Sequence, residues 1–150
     1  RIRPQDCVCS SLEKRRYLGK LSGPLLDRVD LRVQMHAVRA GAFAAEAAES
    51  TAAVRHRVAQ ARGAAAERWG PHGFSTNAEV TGVLLRRRFR LAAQVMAPLK
   101  AAMERGLISI RGADRSLRVA WTLSGLAGRT APNLDDVSVA LSFRQAEVST

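Results

Sequence analysis

Apolar residues recur at helical spacing over most of the chain after about residue 50. The first stripe predicts a helix of about 19 residues and comprises Val54, Val58, Ala61, Ala65 and Trp69. A second stripe runs from Phe89 to Met103 and is stopped by Gly106. Pro98 lies inside it, so we expect a kink there. A third stripe predicts a helix whose inward residues are Ala113, Leu117, Ala120, Leu123 and Ala127.

Residues with short polar side chains mark where these helices begin. Asn77 is suited to cap a short helix over AEVTGVLLR. Ser109 is suited to cap the helix of the third stripe, and Asn133 is suited to cap a last helix. Asp135 and Asp136 fall in the first turn of that last helix, where the helix dipole favours negative charge. Its apolar stripe is Leu134, Val137, Ala140 and Leu141. The pattern therefore predicts a bundle of roughly four or five helices.

The region before residue 50 has a different pattern. Ser11 is suited to cap a short helix over LEKRRYL, which LSGP ends. From Val29 to Met35 apolar and polar residues alternate, which is typical of a β-strand with one buried face. A single strand cannot satisfy its own backbone hydrogen bonds. Its partner strands must therefore lie outside this chain, or the segment adopts another conformation.

These patterns predict a mainly α fold, in which a helical bundle follows a remnant of an α/β domain. We place the end of the α/β part at residues 1–38, an alanine-rich connector at 39–50 and the bundle at 51–145. The chain begins at Arg1 with no initiator methionine and no apolar signal segment. We therefore expect it to be a piece of a longer protein.

Composition and charge limit the classes of molecule that this protein is expected to bind. The 150 residues are 47% hydrophobic, enough to bury a core, and no run approaches the roughly 18 apolar residues of a membrane span. Cys7 and Cys9 are too few for a disulfide framework, so we expect a cytoplasmic setting and no membrane partner. The net charge of +11 suits nucleic acid or nucleotide phosphates. The alternative is that the arginines only solvate exposed helix faces.

The sequence lacks the motifs of several common catalytic and binding sites. No G-x-x-x-x-G-K-[ST] loop occurs, so this chain alone should not cradle a triphosphate. Cys7 and Cys9 supply two thiolates where a structural zinc ion needs four ligands. The histidines lie elsewhere in the sequence, and no Ser-His-Asp set has a recognisable context.

Arginine is the remaining residue type that is a candidate for a functional site. Arg28 lies between Asp27 and Asp30 at the start of the alternating segment. It either forms a structural salt bridge with these neighbours, which contributes little if exposed, or faces the phosphate of a neighbouring subunit. Arg111 lies one turn into a helix capped by Ser109, where backbone N–H groups favour anions. The plainer alternative is that Arg111, like Arg115 and Arg118, is one more exposed arginine of a basic helix, and spacing alone favours the plainer alternative at both positions.

The segment CVCSSLEKRRYLGKLSGPLLDRVDLRVQM closely resembles the ComM-type, magnesium-chelatase-like AAA+ ATPases. Their pattern is C-x-C followed by Y-x-x-[RK]-L-S-G-P-L-L-D-R-[IV]-D-L. VRHRVAQAR, SIRGADRSLRVAWTLSGL and NLDDVSVALSFR resemble three later helices of that family more loosely. The resemblance covers roughly residues 7–145.

The resemblance implies that this chain is the end of an AAA+ core followed by a helical lid, with the phosphate-binding loop upstream. It makes Arg28 the candidate arginine finger, acting in trans on the γ-phosphate of the adjacent subunit. It makes Arg111 a sensor-2-like arginine that binds the nucleotide of its own subunit, and Arg115 a second candidate for binding that nucleotide. The longer protein would bind ATP and Mg²⁺, while the chain alone would bind neither and have no ATPase activity.

The resemblance also implies partners. The longer protein would assemble through its own AAA+ core and neighbouring subunits into a ring, expected to be a hexamer. It would couple ATP hydrolysis to DNA remodelling in recombination and natural transformation. Cys7 and Cys9 would be half of a zinc site only together with an earlier C-P-C-G pair. Trp121 and Gly125 depart from the Arg and Asp of the family pattern, as do Ala113 and Asp114 from Tyr-His. We therefore expect a diverged outer surface of the lid.

Two other functions remain open on the sequence. One is a stand-alone basic helical domain that binds DNA and has no nucleotide role. The other is the ATPase subunit of a magnesium chelatase, which inserts the metal into a porphyrin. The S-G-P-L-L-D-R form favours the ComM-like branch over the latter.

Overall fold

The computed structural model describes residues 8–35 and 49–145. Over these residues the chain forms α1 (Ser11–Leu18), α2 (Gly23–Leu26), α3 (Thr51–Trp69), α4 (Gly82–Arg87), α5 (Ala93–Glu104), α6 (Ile110–Leu126) and α7 (Leu134–Gln145), with a short 3₁₀ helix at Gly70–His72. No β-strand occurs in the described parts of the chain. The predicted mainly α fold is confirmed.

Side-chain caps fix where the helices begin. The Ser109 hydroxyl accepts a hydrogen bond from the Gly112 N–H at 3.0 Å, as predicted for the start of α6. Asn133 and Asp136 exchange two hydrogen bonds of 2.9 Å at the start of α7. The helix predicted to be capped by Ser11 begins one residue earlier, because Ser10 is the cap and forms a reciprocal pair with Glu13.

α6 is the central helix of the bundle. It packs against α7, α3, α4 and α5, and α5 also packs against α7. Buried apolar residues from these helices and from the loop before α4 form one core: Ala65, Trp69, Val80, Leu85, Leu99, Ala102, Ala113, Leu117, Ala120, Trp121, Val137, Ala140 and Leu141. Of the predicted inward positions, five are exposed, and each lies near a helix end: Val54, Ala93, Met103, Ala127 and Leu134. Pro98 lies inside the continuous helix α5.

Aromatic rings make the densest part of this core. Trp69 contacts Phe89 and Trp121 edge-on, with ring centroids 4.7 and 5.2 Å apart. The Arg68 guanidinium lies 4.6 Å from the centre of the Trp121 ring. The expectation that Trp121 marks a diverged outer surface is therefore wrong, because its side chain is 4% exposed. Ala113, also one of those departures, is buried as well.

Two segments differ from their sequence patterns. The segment from Val29 to Met35 is not a strand and adopts another conformation, which was the alternative left open above. Its apolar residues are largely exposed, and the backbone N–H of Arg32 donates to the carbonyl of Phe143 at 2.9 Å. Asn77 is not a helix cap; α4 begins at Gly82, after Thr81. The Asn77 amide is used elsewhere, because its oxygen accepts the indole N–H of Trp69 at 2.7 Å.

The domain boundary itself lies outside the described residues. The predicted change from core remnant to connector falls between residues 36 and 48, so the division stays a prediction. None of the helices found in the described parts of the chain is long and apolar enough to span a membrane.

Candidate functional site

The turn that carries Arg28 is held on the helical bundle by two arginines from distant parts of the chain. Arg144, in the last turn of α7, reaches Asp27 and Val29. Arg115, in α6, reaches Arg28 and Asp30. Four consecutive residues, 27–30, are therefore attached to α6 and α7, although α2 and α6 are far apart in sequence. We call residues 27–30 the DRVD turn.

The Arg144 guanidinium makes most of the contacts on one side of the DRVD turn. One amino group donates to the Val29 carbonyl at 2.9 Å, and the other to the Asp27 carboxylate at 3.0 Å and the Asp27 carbonyl at 3.5 Å. The side chain is only 3% exposed. Burial lowers the pKa of Arg144 from its ordinary value, and the negative charge of Asp27 opposes that shift. The buried guanidinium is therefore paired with an acid and with backbone acceptors.

Arg115 makes the matching contacts on the other side of the DRVD turn. It donates to the Arg28 carbonyl at 2.8 Å and pairs with the Asp30 carboxylate. The Ser109 hydroxyl lies 3.4 Å from the second Asp27 oxygen, so the cap of α6 also contacts the turn. The prediction that Arg115 binds a nucleotide stays untested, and in this structure its guanidinium is used to hold the turn.

Arg28 and Arg111 are placed differently from these structural arginines. Both side chains are exposed, and neither forms an ion pair or a side-chain hydrogen bond with any residue in 8–35 or 49–145. The alternative of a salt bridge between Arg28 and its neighbours is absent from this structure, because Asp27 pairs with Arg144 and Asp30 with Arg115.

Both arginines border one open cleft of about 550 Å³. It is lined by Arg28, Ile110, Arg111, Asp114, Arg115 and Arg118. Asp114 is the only acid among the described residues that line it, and it pairs with Arg86 of α4. Arg118 donates to the Val80 carbonyl at 2.8 Å and so also supports the bundle. The cleft therefore has an excess of positive charge, and an anion is the ligand it can best accept.

Gly82 makes room for the Asp114–Arg86 pair. A Cβ atom at this position would overlap the Asp114 carboxylate and crowd the Arg86 guanidinium. Glycine at the start of α4 therefore leaves room for Arg86, which does not line the cleft, to pair with Asp114 and neutralise its charge.

A second open cleft, of about 620 Å³, lies between α3 and the end of α6. It contains none of the residues that the sequence predicts for a site. Two of its arginines are paired with acids, Arg57 with Glu49 and Arg129 with Asp136. The cleft beside Arg28 is therefore the better candidate.

No metal centre is evident in the described residues, where no group of three or more His, Cys, Asp or Glu side chains could hold an ion. Cys9 is exposed, and Cys7 lies outside the described residues. The half site for zinc therefore stays a prediction.

Sequence reasoning missed Arg144. A signal was present, because Arg144 follows Val137, Ala140 and Leu141 at helical spacing and so lies on the buried stripe of α7. A charged residue on such a stripe needs a buried partner, and Asp27 supplies it.

The fold and the cleft together define a helical lid domain with an arginine-bearing turn attached to it. The chain belongs to the magnesium chelatase family. The family model described as "Magnesium chelatase, subunit ChlI C-terminal" matches residues 48–144, and "Magnesium chelatase, subunit ChlI" matches residues 2–43. The second match supports the ComM-type, magnesium-chelatase-like resemblance for the part before the lid.

Curated relatives agree with this assignment. The uncharacterized proteins Mb2921c of Mycobacterium bovis and Rv2897c of Mycobacterium tuberculosis are 69% identical to 95% of this chain, which covers 28% of each. Competence protein ComM of Haemophilus influenzae is 30% identical over 86% of this chain, which covers 25% of it. The chain thus spans about a quarter of the length of these relatives.

Proposed function

We propose that this chain is the end of the AAA+ core and the lid of a ComM-like ATPase, in which it supplies two arginines to a nucleotide at a subunit boundary. One observation carries the proposal. Arg28 and Arg111 are exposed on one cleft without an acidic partner in the described residues, while the acids beside Arg28 are paired.

Arg28 has the properties needed of an arginine finger. A guanidinium presents a planar fork to phosphate oxygens and does not titrate near neutral pH. The DRVD turn is fixed to the bundle by its backbone and acids, so the Arg28 side chain remains available. Fingers of this kind typically contribute about 10³–10⁵ in rate by stabilising charge in the transition state.

Arg111 extends the same positively charged face. It lies in the first turn of α6, next to the Ser109 cap. Because Arg28 and Arg111 line one cleft, a phosphate chain that enters it would meet both. We therefore propose that both arginines contact one nucleotide at the subunit boundary, in place of the separate nucleotides that the sequence resemblance assigns. ATP with Mg²⁺ would supply the bond to be hydrolysed, and these side chains would bind and orient its phosphates.

The test uses the full-length protein with Arg28→Ala or Arg111→Ala. Arg62→Ala is the matched control, since Arg62 is an exposed arginine of α3 that lies outside the cleft. We expect Arg28→Ala to reduce ATP turnover at least 10³-fold while ATP binding is nearly unchanged. Arg111→Ala should also lower turnover or nucleotide affinity. Normal turnover in Arg28→Ala would contradict the finger assignment.

Mixed rings separate trans from cis action. Each arginine variant is mixed with subunits whose upstream phosphate-binding loop is inactivated. If both arginines serve the neighbour's nucleotide, both mixtures regain ATPase activity, because intact arginines of the inactive subunits then face intact phosphate-binding loops. Recovery with Arg28→Ala alone would instead assign Arg111 to the nucleotide of its own subunit.

We further propose that the full-length protein remodels DNA. The relative named as a competence protein supports this role. So does the stretch from residue 80 to 103, which holds five basic residues and no acidic one. A stand-alone DNA-binding domain would instead show sub-micromolar, strongly salt-dependent binding by this chain without nucleotide or ring assembly. Titration of the chain with duplex DNA at two salt concentrations distinguishes the two.

A further inference from the structure

We infer that Arg144 is a positioning residue for Arg28, because it attaches the DRVD turn to the lid. This inference rests on the proposed function of Arg28. It goes further because it assigns a role to a residue of the last described helix that does not line the cleft and to which the sequence resemblance assigns no role.

The contacts of Arg144 are directed at the backbone of the DRVD turn as well as at a side chain. It donates to carbonyl oxygens on both sides of Arg28, those of Asp27 and Val29. The Asp27 carbonyl belongs to the peptide unit directly before the Arg28 Cα, and the Val29 carbonyl to the second unit after it. The unit between them carries the Arg28 carbonyl, which accepts from Arg115.

The turn is held from both sides. Arg115 reaches the Arg28 carbonyl and Asp30 from α6, while Arg144 reaches Asp27 and Val29 from α7. A third attachment lies two residues beyond the turn, where the backbone N–H of Arg32 donates to the Phe143 carbonyl at the end of α7. Because α6 and α7 belong to the bundle core, any movement of the lid would carry the base of the Arg28 side chain with it.

Energetics also favour a positioning role over a purely stabilising one. A buried ion pair often contributes little compared with apolar residues of the same volume. Arg144 also leaves its buried Nε without a hydrogen-bond partner among the described residues. Asp27 is 42% exposed, so water can solvate it if Arg144 is replaced. We therefore expect loss of Arg144 to loosen the turn without unfolding the bundle.

The experiment compares Arg144→Gln and Arg144→Lys in the full-length protein. We expect Arg144→Gln to lower kcat for ATP at least tenfold with KM changed less than twofold, because the finger acts in the transition state and not in ground-state binding. Arg144→Lys keeps the charge but not the fork, so an intermediate kcat is expected. This variant also serves if Arg144→Gln fails to fold.

Arg129→Gln is the matched control. Arg129 pairs with the buried acid Asp136 at the opposite end of α7, so its loss should destabilise the same helix without touching the DRVD turn. Hydrogen exchange provides a readout that does not depend on activity. The Arg32 amide should exchange at least tenfold faster in Arg144→Gln and at the wild-type rate in Arg129→Gln.

The outcomes separate this inference from the proposed function. Faster exchange with lower kcat in Arg144→Gln alone supports positioning. Unchanged exchange of the Arg32 amide overturns the attachment. Faster exchange with normal kcat, while Arg28→Ala is inactive, overturns positioning but leaves the finger intact. Normal turnover in Arg28→Ala overturns the finger, and the positioning role with it.

Discussion

Replacing Trp121 by arginine, the residue that the resembling family usually has at this position, should strongly destabilise the chain. Trp121 is 4% exposed and contacts Trp69 and Phe89 edge-on. The substitution removes an indole from the core and places a charge beside Arg68, whose guanidinium lies 4.6 Å from the Trp121 ring.

The magnitude follows from these contacts. Removal of a buried tryptophan side chain costs about 3–5 kcal/mol. Two guanidinium groups roughly 5 Å apart repel each other by up to about 3 kcal/mol at an effective dielectric constant of 20. Solvent reaches Arg68, and the new arginine could extend toward the groove beside Trp121, so the repulsion counts only in part. We expect the free energy of unfolding to fall by at least about 4 kcal/mol.

Urea unfolding of the 150-residue chain, followed by circular dichroism, measures this change. Trp121→Phe is the control and should lose only about 1–2 kcal/mol, because a ring still fills the core. The double variant with Arg68→Ala should regain part of the loss. If Trp121→Arg unfolds within about 1 kcal/mol of the wild type, the placement of this side chain in the core is refuted.

Two further predictions concern the loop before α4 and the neutralisation of Asp114. Glu79 accepts two backbone N–H groups, which lowers the pKa of its carboxyl from the ordinary value of 4.5; its stabilising effect is therefore present at neutral pH and lost as pH falls through the lowered pKa. An NMR titration should give a midpoint below 4.5, and an unshifted midpoint would contradict these contacts. Gly82→Ala should cost about 1–3 kcal/mol in urea unfolding through overlap with the Asp114 carboxylate. The same change in an Asp114→Ala background should cost less; equal costs would exclude this cause.

The helices after residue 50 could be predicted because their signals are local. Ser109 and Asn133 cap α6 and α7 with their own side chains, three residues from the N–H groups they accept. The stripe that ends at Trp69 likewise gave the length of α3. Capping and helical periodicity depend on neighbours a few residues away, so the sequence alone contains them.

The failures have a common physical cause, which is that a distant partner decides the outcome. Asn77 has the side chain of a cap, but the buried indole N–H of Trp69 requires an acceptor and uses it. The alternating segment from Val29 to Met35 needs strands to pair with, and in this structure it is instead attached to Arg115 of α6 and to the end of α7. Neither requirement is visible within a short window of sequence.

The candidate site shows the same limit. Arg28 and Arg111 were singled out by resemblance, while spacing alone favoured a plainer role for both. Their placement beside one cleft could not be predicted, because it depends on how the DRVD turn docks onto α6 and α7. The role of Arg144 as the attachment of that turn depends on a contact across 117 residues of sequence.

The position of Arg144 has a genetic consequence. Asp27 and Arg144 lie at opposite ends of the region that the helices span, so the turn that carries Arg28 is completed only when α7 has been synthesised. A nonsense codon just before position 144 would leave nearly all of the bundle core encoded and still remove this attachment. In a mutational screen, substitutions that remove the Arg144 guanidinium should therefore group with loss-of-turnover alleles near position 28 and not with alleles that merely reduce protein abundance.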